Sequence, residues 1–324
     1  MKTIKSLLIL PLAFCLLISC FVPSGTIPDD PRSFAPPTDN ILTVSGTLPY
    51  FEVYLEELKN VHLDYILEEE GPVTVFMPNV NAFNKFFVEK NISKFTDLPE
   101  ETRREILLYH IIPGKFRASD IPSGYYPTHT LEVTTGNPID IYVNTGILFR
   151  LNNDACMDEP DLPAVNGIIH SIASVKNPQD VVGQLSSNPD FSLFLSLLSR
   201  QDLEINYLEY LRDTGPFTVI VPTREAIDSF LTSGSGWDSL NEIPAEFLDE
   251  LLRHHVIAGK NFLVKHVDVA DSLEAIDGSI LSFRVSDTLK TVIDEHGHLA
   301  DIVYTDIQAY NGVIQLVDHV LFPK

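Results

Sequence analysis

The chain has 324 residues and is strongly acidic, with 45 Asp and Glu residues against 22 Lys and Arg and a formal net charge of −23. Such a surface repels phosphate backbones and anionic lipid headgroups, which argues against nucleic acid as a partner. Hydrophobic residues make up 44% of the chain. This fraction is sufficient for sizeable buried cores.

The N-terminus has the pattern of an export signal. A short basic region ends at Lys5, residues 6–18 are an apolar run too short to span a bilayer comfortably, and Leu17-Ile18-Ser19-Cys20 resembles a bacterial lipobox. We predict a signal peptide at residues 1–19 and a lipid such as palmitate on Cys20. An uncleaved anchor or an ordinary signal peptide is the alternative, and Cys15 is a poorer lipidation site because no small residue precedes it.

Processing would change both charge and cysteine chemistry. Removing residues 1–19 takes away Lys2 and Lys5, so the formal charge falls from −23 to −25. With Cys20 lipidated, we expect no intramolecular disulfide in the mature chain, which leaves stability to packing. Residues 20–40 follow as a tether with five prolines and no periodic apolar pattern. We expect this tether to be extended and mobile.

The next part of the chain reads as helices followed by strands. A helix is predicted over residues 50–69, a strand over 73–77, and a second helix after Asn79, which can cap it. Another helix is expected from Pro99 to His110. Short β runs then follow at residues 130–134, 139–143, 147–151 and 167–175, separated by turn residues.

The same order returns in the second half. Helices are predicted at 191–198, 203–211, 225–231 and 244–254, with a strand at 217–221 and a β-rich last third. Thr223 can cap the helix that follows this strand, as Asn79 does in the first half. Gly71–Pro78 matches Gly215–Pro222, residues 107–115 match 252–260, and residues 166–170 match 311–315. A repeat of roughly 145 residues is the size of a whole domain, so we predict tandem domains at 41–177 and 178–324. The join near Asn177-Pro178 is short, so we do not expect the two domains to be independent of each other.

Taken together, these motifs resemble the fasciclin-type domains. That family has a Thr-Val-Phe-x-Pro segment, a Tyr-His in mid-domain and an Asn-Gly-x-x-His segment in its last strand. The resemblance covers about residues 41–324 and implies an α+β fold in which each copy is a wedge-like antiparallel β-sandwich flanked by helices. The second copy departs from the pattern, with His254-His255 for Tyr-His and Gln315 for the last His.

The resemblance also gives candidate binding residues. Tyr109-His110 and His254-His255 occupy the Tyr-His position, which in animal matrix relatives is associated with adhesion. A packed, hydrogen-bonded His at a helix-to-strand corner is the alternative. Tyr125, Tyr126 and Trp237 are candidate exposed stacking platforms for a glycan, and the two tyrosines are expected in a loop after Ser123-Gly124. Edge packing of the tyrosines onto the sheet is the alternative.

Other motifs point to chemistry only weakly. Asp213-Thr214-Gly215 matches an aspartic-protease triplet, but that enzyme needs a second such carboxylate and the sequence contains no second triplet. His254-His255 and His296-Gly297-His298 lack the spacing of a zinc site. The acidic residues 154–161 lack EF-hand spacing, so we predict a solvated insertion over a calcium loop. We therefore predict neither a metal nor a cofactor.

The sequence as a whole predicts a non-enzymatic, membrane-tethered binding or adhesion protein of a bacterial cell envelope, on either face of the outer membrane. Its partner would be an envelope protein or a matrix-like ligand. A glycan-binding accessory lipoprotein of a nutrient-uptake complex is the runner-up, and an envelope hydrolase is the alternative from another class. A passive spacer is a third reading. The motifs themselves are mostly strand and turn residues, which explain folding and not ligand choice.

Overall fold

The computed structural model of the protein describes residues 36–69, 71–213, 215–232, 236–266, 271–286 and 289–322. The predicted signal peptide, the lipidation site at Cys20 and most of the tether lie outside these ranges. Within them the chain forms two α+β units in tandem, as expected from the repeat.

The first unit begins with helices and ends with strands. Its helices are α1 (Ile41–Gly46), α2 (Glu52–Asn60), α3 (Tyr65–Glu68), α4 (Val80–Lys90) and α5 (Glu100–Tyr109). Its strands are β1 (Val73–Pro78), β2 (Ile111–Pro113), β3 (Gly124–Leu131), β4 (Pro138–Asn144), β5 (Arg150–Leu151), β6 (Ala155–Ala164) and β7 (Gly167–Ile172). Short 3-10 turns at Pro49–Phe51 and Phe95–Asp97 complete it.

The second unit repeats this order. Its helices are α6 (Val181–Ser187), α7 (Ser192–Leu198), α8 (Tyr207–Tyr210), α9 (Arg224–Thr232) and α10 (Ala245–His254). Its strands are β8 (Phe217–Pro222), β9 (Val256–Ala258), β10 (Asp271–Glu274), β11 (Ile280–Val285), β12 (Lys290–Ile293), β13 (Leu299–Ala309) and β14 (Gly312–Val317). The 3-10 turns are Pro189–Phe191, Leu240–Glu242 and Val264–His266.

Each unit has one seven-stranded sheet, and the two sheets have the same strand order. The first runs β2-β1-β7-β6-β5-β4-β3 and the second runs β9-β8-β14-β13-β12-β11-β10. The pairs β1–β7 and β8–β14 are parallel, while all other neighbours are antiparallel. The topology thus confirms the duplication at the level of strand pairing.

The parallel pairs need a glycine where the strands approach. An added Cβ on Gly167 would lie 2.0 Å from the Val73 carbonyl oxygen, and one on Gly312 would lie 2.4 Å from that of Phe217. Both distances are too short for any other residue, which explains the Asn-Gly pair at the same place in each copy.

Alternate residues of the central strands face two separate cores. Val75 and Met77 of β1 pack beneath the helices, whereas Phe76 packs inside the fold of the sheet. In β8, Val219 and Val221 likewise belong to one core, and Ile220 belongs to the other. All six residues of β1 and of β8 are buried, as expected for strands covered on both faces.

Both predicted helix caps are confirmed. The Asn79 side chain accepts the Ala82 N–H at 2.9 Å, and the Thr223 hydroxyl oxygen accepts the Ala226 N–H at 3.1 Å. The helix predicted over 50–69 is instead broken between α2 and α3, where His62 has a φ of 56°. The sequence pattern also missed α1 and α6.

The acidic segment 154–161 is not a solvated insertion, because most of it lies within β6. Its counterpart in the second unit is β13, of similar length. Irregular pairing with β7 after Met157 and after Glu159 lets this strand accommodate its two prolines and its acidic side chains.

The expectation about disulfides is also corrected. Cys156 is disulfide-bonded, and its partner lies outside the described residues. The expectation concerned a processed chain with a lipid on Cys20, and the other two cysteines of the sequence, Cys15 and Cys20, lie outside the described residues.

Candidate functional site

His110 and His255 occupy equivalent corners, each just after the helix that precedes a short strand. The His110 Nδ1–H donates to the Ile106 carbonyl at 2.7 Å, and its Nε2 accepts the Lys176 N–H at 3.0 Å. His255 does the same with the Leu251 carbonyl at 2.8 Å and the Leu321 N–H at 3.2 Å. Each imidazole therefore joins the end of a helix to the segment that follows the last strand.

Both imidazoles are held in the neutral form. Burial lowers the pKa of His110 to about 4, and the same cause lowers the pKa of His255 to about 4. Both side chains have zero exposure. A proton on Nε2 would remove the acceptor for the backbone N–H, so the geometry and the lowered pKa agree.

The residue before each of these histidines differs in type but also points inward. The Tyr109 hydroxyl donates to the Asp140 carbonyl at 2.8 Å and accepts the Asn152 amide at 3.2 Å. In the second unit the His254 Nδ1 lies 2.8 Å from Asp277 Oδ2. Exposure is 0% for Tyr109 and 2% for His254.

The packed alternative therefore describes all four residues at the Tyr-His position. Tyr109, His110, His254 and His255 make hydrogen bonds inside the two units and present almost no surface. A partner could touch their side chains only if the unit opened. Their place in binding stays a prediction, and the structure gives them a folding role.

The departure at Gln315 preserves the hydrogen bonds of the histidine that it replaces. His170 Nδ1 accepts the Asp161 N–H at 3.1 Å, and its Nε2 lies 3.0 Å from the Phe116 carbonyl. Gln315 Oε1 accepts the Asp306 N–H at 3.0 Å, and its Nε2 donates to the Phe262 carbonyl at 3.0 Å. One acceptor and one donor are all that the site requires.

The asparagines of the Asn-Gly pairs tie each unit together. Asn166 Oδ1 accepts the Ile41 N–H at 2.9 Å and its amide donates to the Leu67 carbonyl at 3.0 Å. Asn311 repeats these contacts with Val181 and Leu211, each at 2.9 Å, and also donates to the Asp213 carbonyl at 2.7 Å. The segment at Asp213 is thus part of a structural turn, which supports the non-catalytic reading of the protease-like triplet.

The glycan candidates are less exposed than expected. Tyr125 and Tyr126 lie on β3 and not in a loop. Tyr125 packs across the boundary between the units, with its ring centroid 6.4 Å from that of Phe191 and 6.0 Å from that of Tyr304. Its ring is therefore largely occupied by protein contacts.

Tyr126 and Trp237 are half-buried. The Tyr126 ring is 5.5 Å from that of Phe116, and its hydroxyl donates to the Pro122 carbonyl at 2.8 Å. Trp237 packs on Phe247 at 5.0 Å between ring centroids. Edge packing accounts for these contacts.

Two cavities open on the surface of the described residues. A cavity of about 750 Å³ on the second unit is lined mostly by carboxylates, and Arg253 of its lining is paired with Asp249 and Glu204. The carboxylate residues are Asp202, Glu204, Glu246, Asp249, Glu250 and Asp277. A smaller polar crevice of about 420 Å³ lies between the units and is lined by residues such as Asn153, Asn177 and Ser186.

The boundary between the units is itself well packed. The Asp140 carboxylate of the first unit accepts the Gln308 N–H of the second at 2.8 Å, and the Gln184 amide donates back to the Asp140 carbonyl at 2.5 Å. Sequence patterns did not indicate these residues, because a single polar residue in a strand gives no periodic signal. A short join between the copies was the only clue to such contact.

Within the described ranges, no group of three or more His, Cys, Asp or Glu side chains is placed to hold a metal ion. His298 is bound instead to Asp294 at 2.6 Å. Among the helices within those ranges, none has the length and apolar character needed to cross a membrane.

Comparisons with known proteins agree with this architecture. The human proteins stabilin-1 and periostin are 24% identical over 277 residues and 27% identical over 265 residues, covering 80% and 79% of this chain. The chain spans only 10% of stabilin-1 and 28% of periostin. An uncharacterised protein of Synechocystis is 32% identical over 136 residues, which are 42% of this chain and 96% of that protein.

A solved structure has the same fold. The FAS1 domain pair of the insect cell adhesion molecule fasciclin I matches with a TM-score of 0.50 at 18% identity, covering 85% of this chain and 97% of that one. The Fasciclin domain model itself matches residues 49–178 and again residues 189–323. The chain therefore belongs to the fasciclin-domain family and contains two copies of its domain.

Proposed function

We propose that this protein is a non-enzymatic binding or adhesion protein, held at a bacterial cell envelope by a lipid on Cys20. Its two domains would engage an envelope protein or a matrix-like ligand through their exposed surfaces. The observation that carries the proposal is the burial of the motif residues. His110, His255 and their neighbours maintain the fold, which leaves recognition to the outer faces of the paired domains.

The comparisons support the class of function. The insect domain pair comes from a cell adhesion molecule, and it has the same fold as this chain. The lipid anchor is supported by Leu17-Ile18-Ser19-Cys20 and by the proline-rich segment behind it, which is suited to spacing domains from a membrane. The charge of −23 favours a partner with basic surface over an anionic one.

The first experiment tests the partner. The full-length protein, tagged at its C-terminus, is recovered from native envelopes after mild crosslinking, and bound proteins are quantified by mass spectrometry. We expect a stoichiometric protein partner that is reduced with Cys20→Ala, because the unlipidated protein no longer concentrates at the membrane. A form truncated after the first domain separates binding from spacing, since a passive spacer would lose reach and keep its associations.

The anchor is tested separately. Metabolic labelling with an alkyne fatty acid should modify the wild-type protein and not Cys20→Ala, while Cys15→Ala should label normally. Label that persists in Cys20→Ala would place the lipid elsewhere. An unlabelled wild-type protein would instead favour the uncleaved anchor or the ordinary signal peptide.

The second candidate is a glycan-binding accessory protein. The polar crevice between the domains and the half-buried rings of Tyr126 and Trp237 supply amide and aromatic groups suited to sugars. A glycan array with the soluble form of residues 21–324 tests it, with Trp237→Ala as the variant and Tyr65→Ala, a tyrosine 48% exposed on α3, as the control. Binding lost only in Trp237→Ala would favour this alternative.

A further inference from the structure

A buried carboxyl group lies at the contact between the two domains. Asp140 of β4 is 8% exposed, and its Oδ2 accepts the Gln308 N–H of β13 at 2.8 Å. Its own carbonyl accepts the Gln184 amide from α6 at 2.5 Å, and that amide lies 3.2 Å from the Gln308 carbonyl. These residues, Asp140, Gln184 and Gln308, form what we call the junction cluster.

The junction cluster contains two buried side-chain amide oxygens that receive no hydrogen bond from the described residues. Gln184 Oε1 and Gln308 Oε1 are inaccessible and have no hydrogen-bond partner among the described residues. A protonated Asp140 would add one O–H donor to the junction cluster while still accepting the Gln308 N–H. An ionised Asp140 adds only a further acceptor and a buried negative charge.

The surrounding charges do not compensate for this burial. Lys265 is the cation whose charge acts on Asp140, and Asp306 opposes it with a negative charge. Desolvation is the largest influence and raises the pKa of Asp140 to about 7, with the Gln308 N–H acting in the other direction. The other titratable groups that face it are phenolic hydroxyls, which are neutral in this range: Tyr109, Tyr125 and Tyr304.

We propose that Asp140 is a protonation-dependent clamp between the two domains, which holds them together when its carboxyl is neutral and loosens them when it ionises. The clamp draws on three elements that only meet in the folded pair: β4 of the first domain, and α6 and β13 of the second. It concerns the relation of the domains and is independent of which partner the protein binds.

The direction of the effect follows from linkage. In separated domains the Asp140 carboxyl would meet water and return toward its ordinary pKa of 3.8. Docking then takes up a proton, so the docked state is most favoured at low pH and loses that advantage as pH rises toward about 7. The equilibrium changes by up to about tenfold for each pH unit inside this window, and it is level above it.

The test is hydrogen exchange at the Gln308 backbone N–H, measured by NMR in the two-domain protein without its signal peptide. Protection is the intrinsic exchange rate at each pH divided by the measured rate. Because the exchange reports rare opening, it remains sensitive even when the docked state dominates. In the wild type we expect its protection to fall about fiftyfold between pH 5 and pH 7, since the carboxyl with its pKa of about 7 is half ionised at the upper end. In Asp140→Asn, whose amide can both accept and donate, we expect high protection at either pH.

Two controls keep the result specific. Asp294→Asn removes another buried carboxyl, 5% exposed and remote from the junction in the β12–β13 turn, and should retain the wild-type pH trend at Gln308. The Val219 amide, at the centre of β8, reports opening of the second domain as a whole. Protection of Gln308 that does not change with pH in the wild type would overturn the clamp, as would a fall of equal size in Asp140→Asn or at Val219.

Discussion

The two domains share one fold and differ at the very positions that identify the family. The first has Tyr109 and His170, where the second has His254 and Gln315. Each replacement is accommodated by inward hydrogen bonds, and at Gln315 these reproduce the contacts of His170 with Asp161 and Phe116. The comparison teaches that the motif specifies buried donors and acceptors, and that the residue type is free to vary wherever another side chain supplies the same groups.

Some positions permit no such variation, and the glycines of the parallel strand pairs are the sharpest case. Gly312→Ala would bring a Cβ to within 2.4 Å of the Phe217 carbonyl, so we expect β8 and β14 to separate and stability to fall by about 4 kcal/mol. The unfolding of the second domain can be followed in urea by the fluorescence of Trp237, the only tryptophan.

A second glycine, at which an added Cβ meets no neighbouring atom, provides the control. Gly46, at the end of α1, has nothing within 4 Å of an added Cβ. Gly46→Ala is therefore expected to be neutral or to stabilise by a few tenths of a kcal/mol, measured by circular dichroism. A loss in Gly312→Ala no larger than about 1 kcal/mol would show that the strands can adjust, and would break the argument from close approach.

The shared histidines come next in size. His255→Ala leaves the Leu251 carbonyl and the Leu321 N–H buried without their partners and opens a cavity, so we expect a loss of about 3 kcal/mol. His110→Ala should act equally on the first domain. His319→Ala, whose ring is mostly exposed, should change stability by less than about 0.5 kcal/mol. A similarly small effect of His255→Ala would contradict the structural role.

The same histidines predict an acid response. Each has a folded pKa of about 4, below the ordinary value of 6.5, so the unfolded chain binds more protons between these values. Their contribution is complete above pH 6.5 and is lost as pH falls to about 4, by roughly 3 kcal/mol for each histidine. Urea midpoints measured from pH 7 to pH 4.5 check this, and a flat profile would contradict it. Domain docking through Asp140 should change in the opposite sense.

The substitution with the smallest expected effect on stability is the most direct test of the comparison between the two domains. His170→Gln copies the second domain, so we expect a cost below about 1 kcal/mol, partly from the lost ring contact with Phe76 at 5.5 Å. His170→Ala should cost several times more, because the Asp161 N–H and the Phe116 carbonyl then lose their partner. If glutamine and alanine were equally harmful in urea unfolding, the equivalence of His170 and Gln315 would be wrong.

The sequence alone determined the duplication, the α+β class, the family resemblance and the caps at Asn79 and Thr223. These rest on local rules, since a glycine-proline start, an apolar run and a capping side chain act within a few residues. The strand β6 escaped detection because its prolines and carboxylates are tolerated only through irregular pairing with β7. Local propensity carries no information about such pairing.

Tertiary structure decided where the candidate residues lie. Burial of His110 and His255, the packing of Tyr125 across the domain contact and the meeting of Asp140 with Gln308 depend on atoms far apart in the chain, up to 168 residues in the last case. A side chain's exposure and pKa are set by what surrounds it in space, and a single sequence does not encode those neighbours in any periodic form. The motif residues were thus readable from the sequence, while their inward direction required the fold.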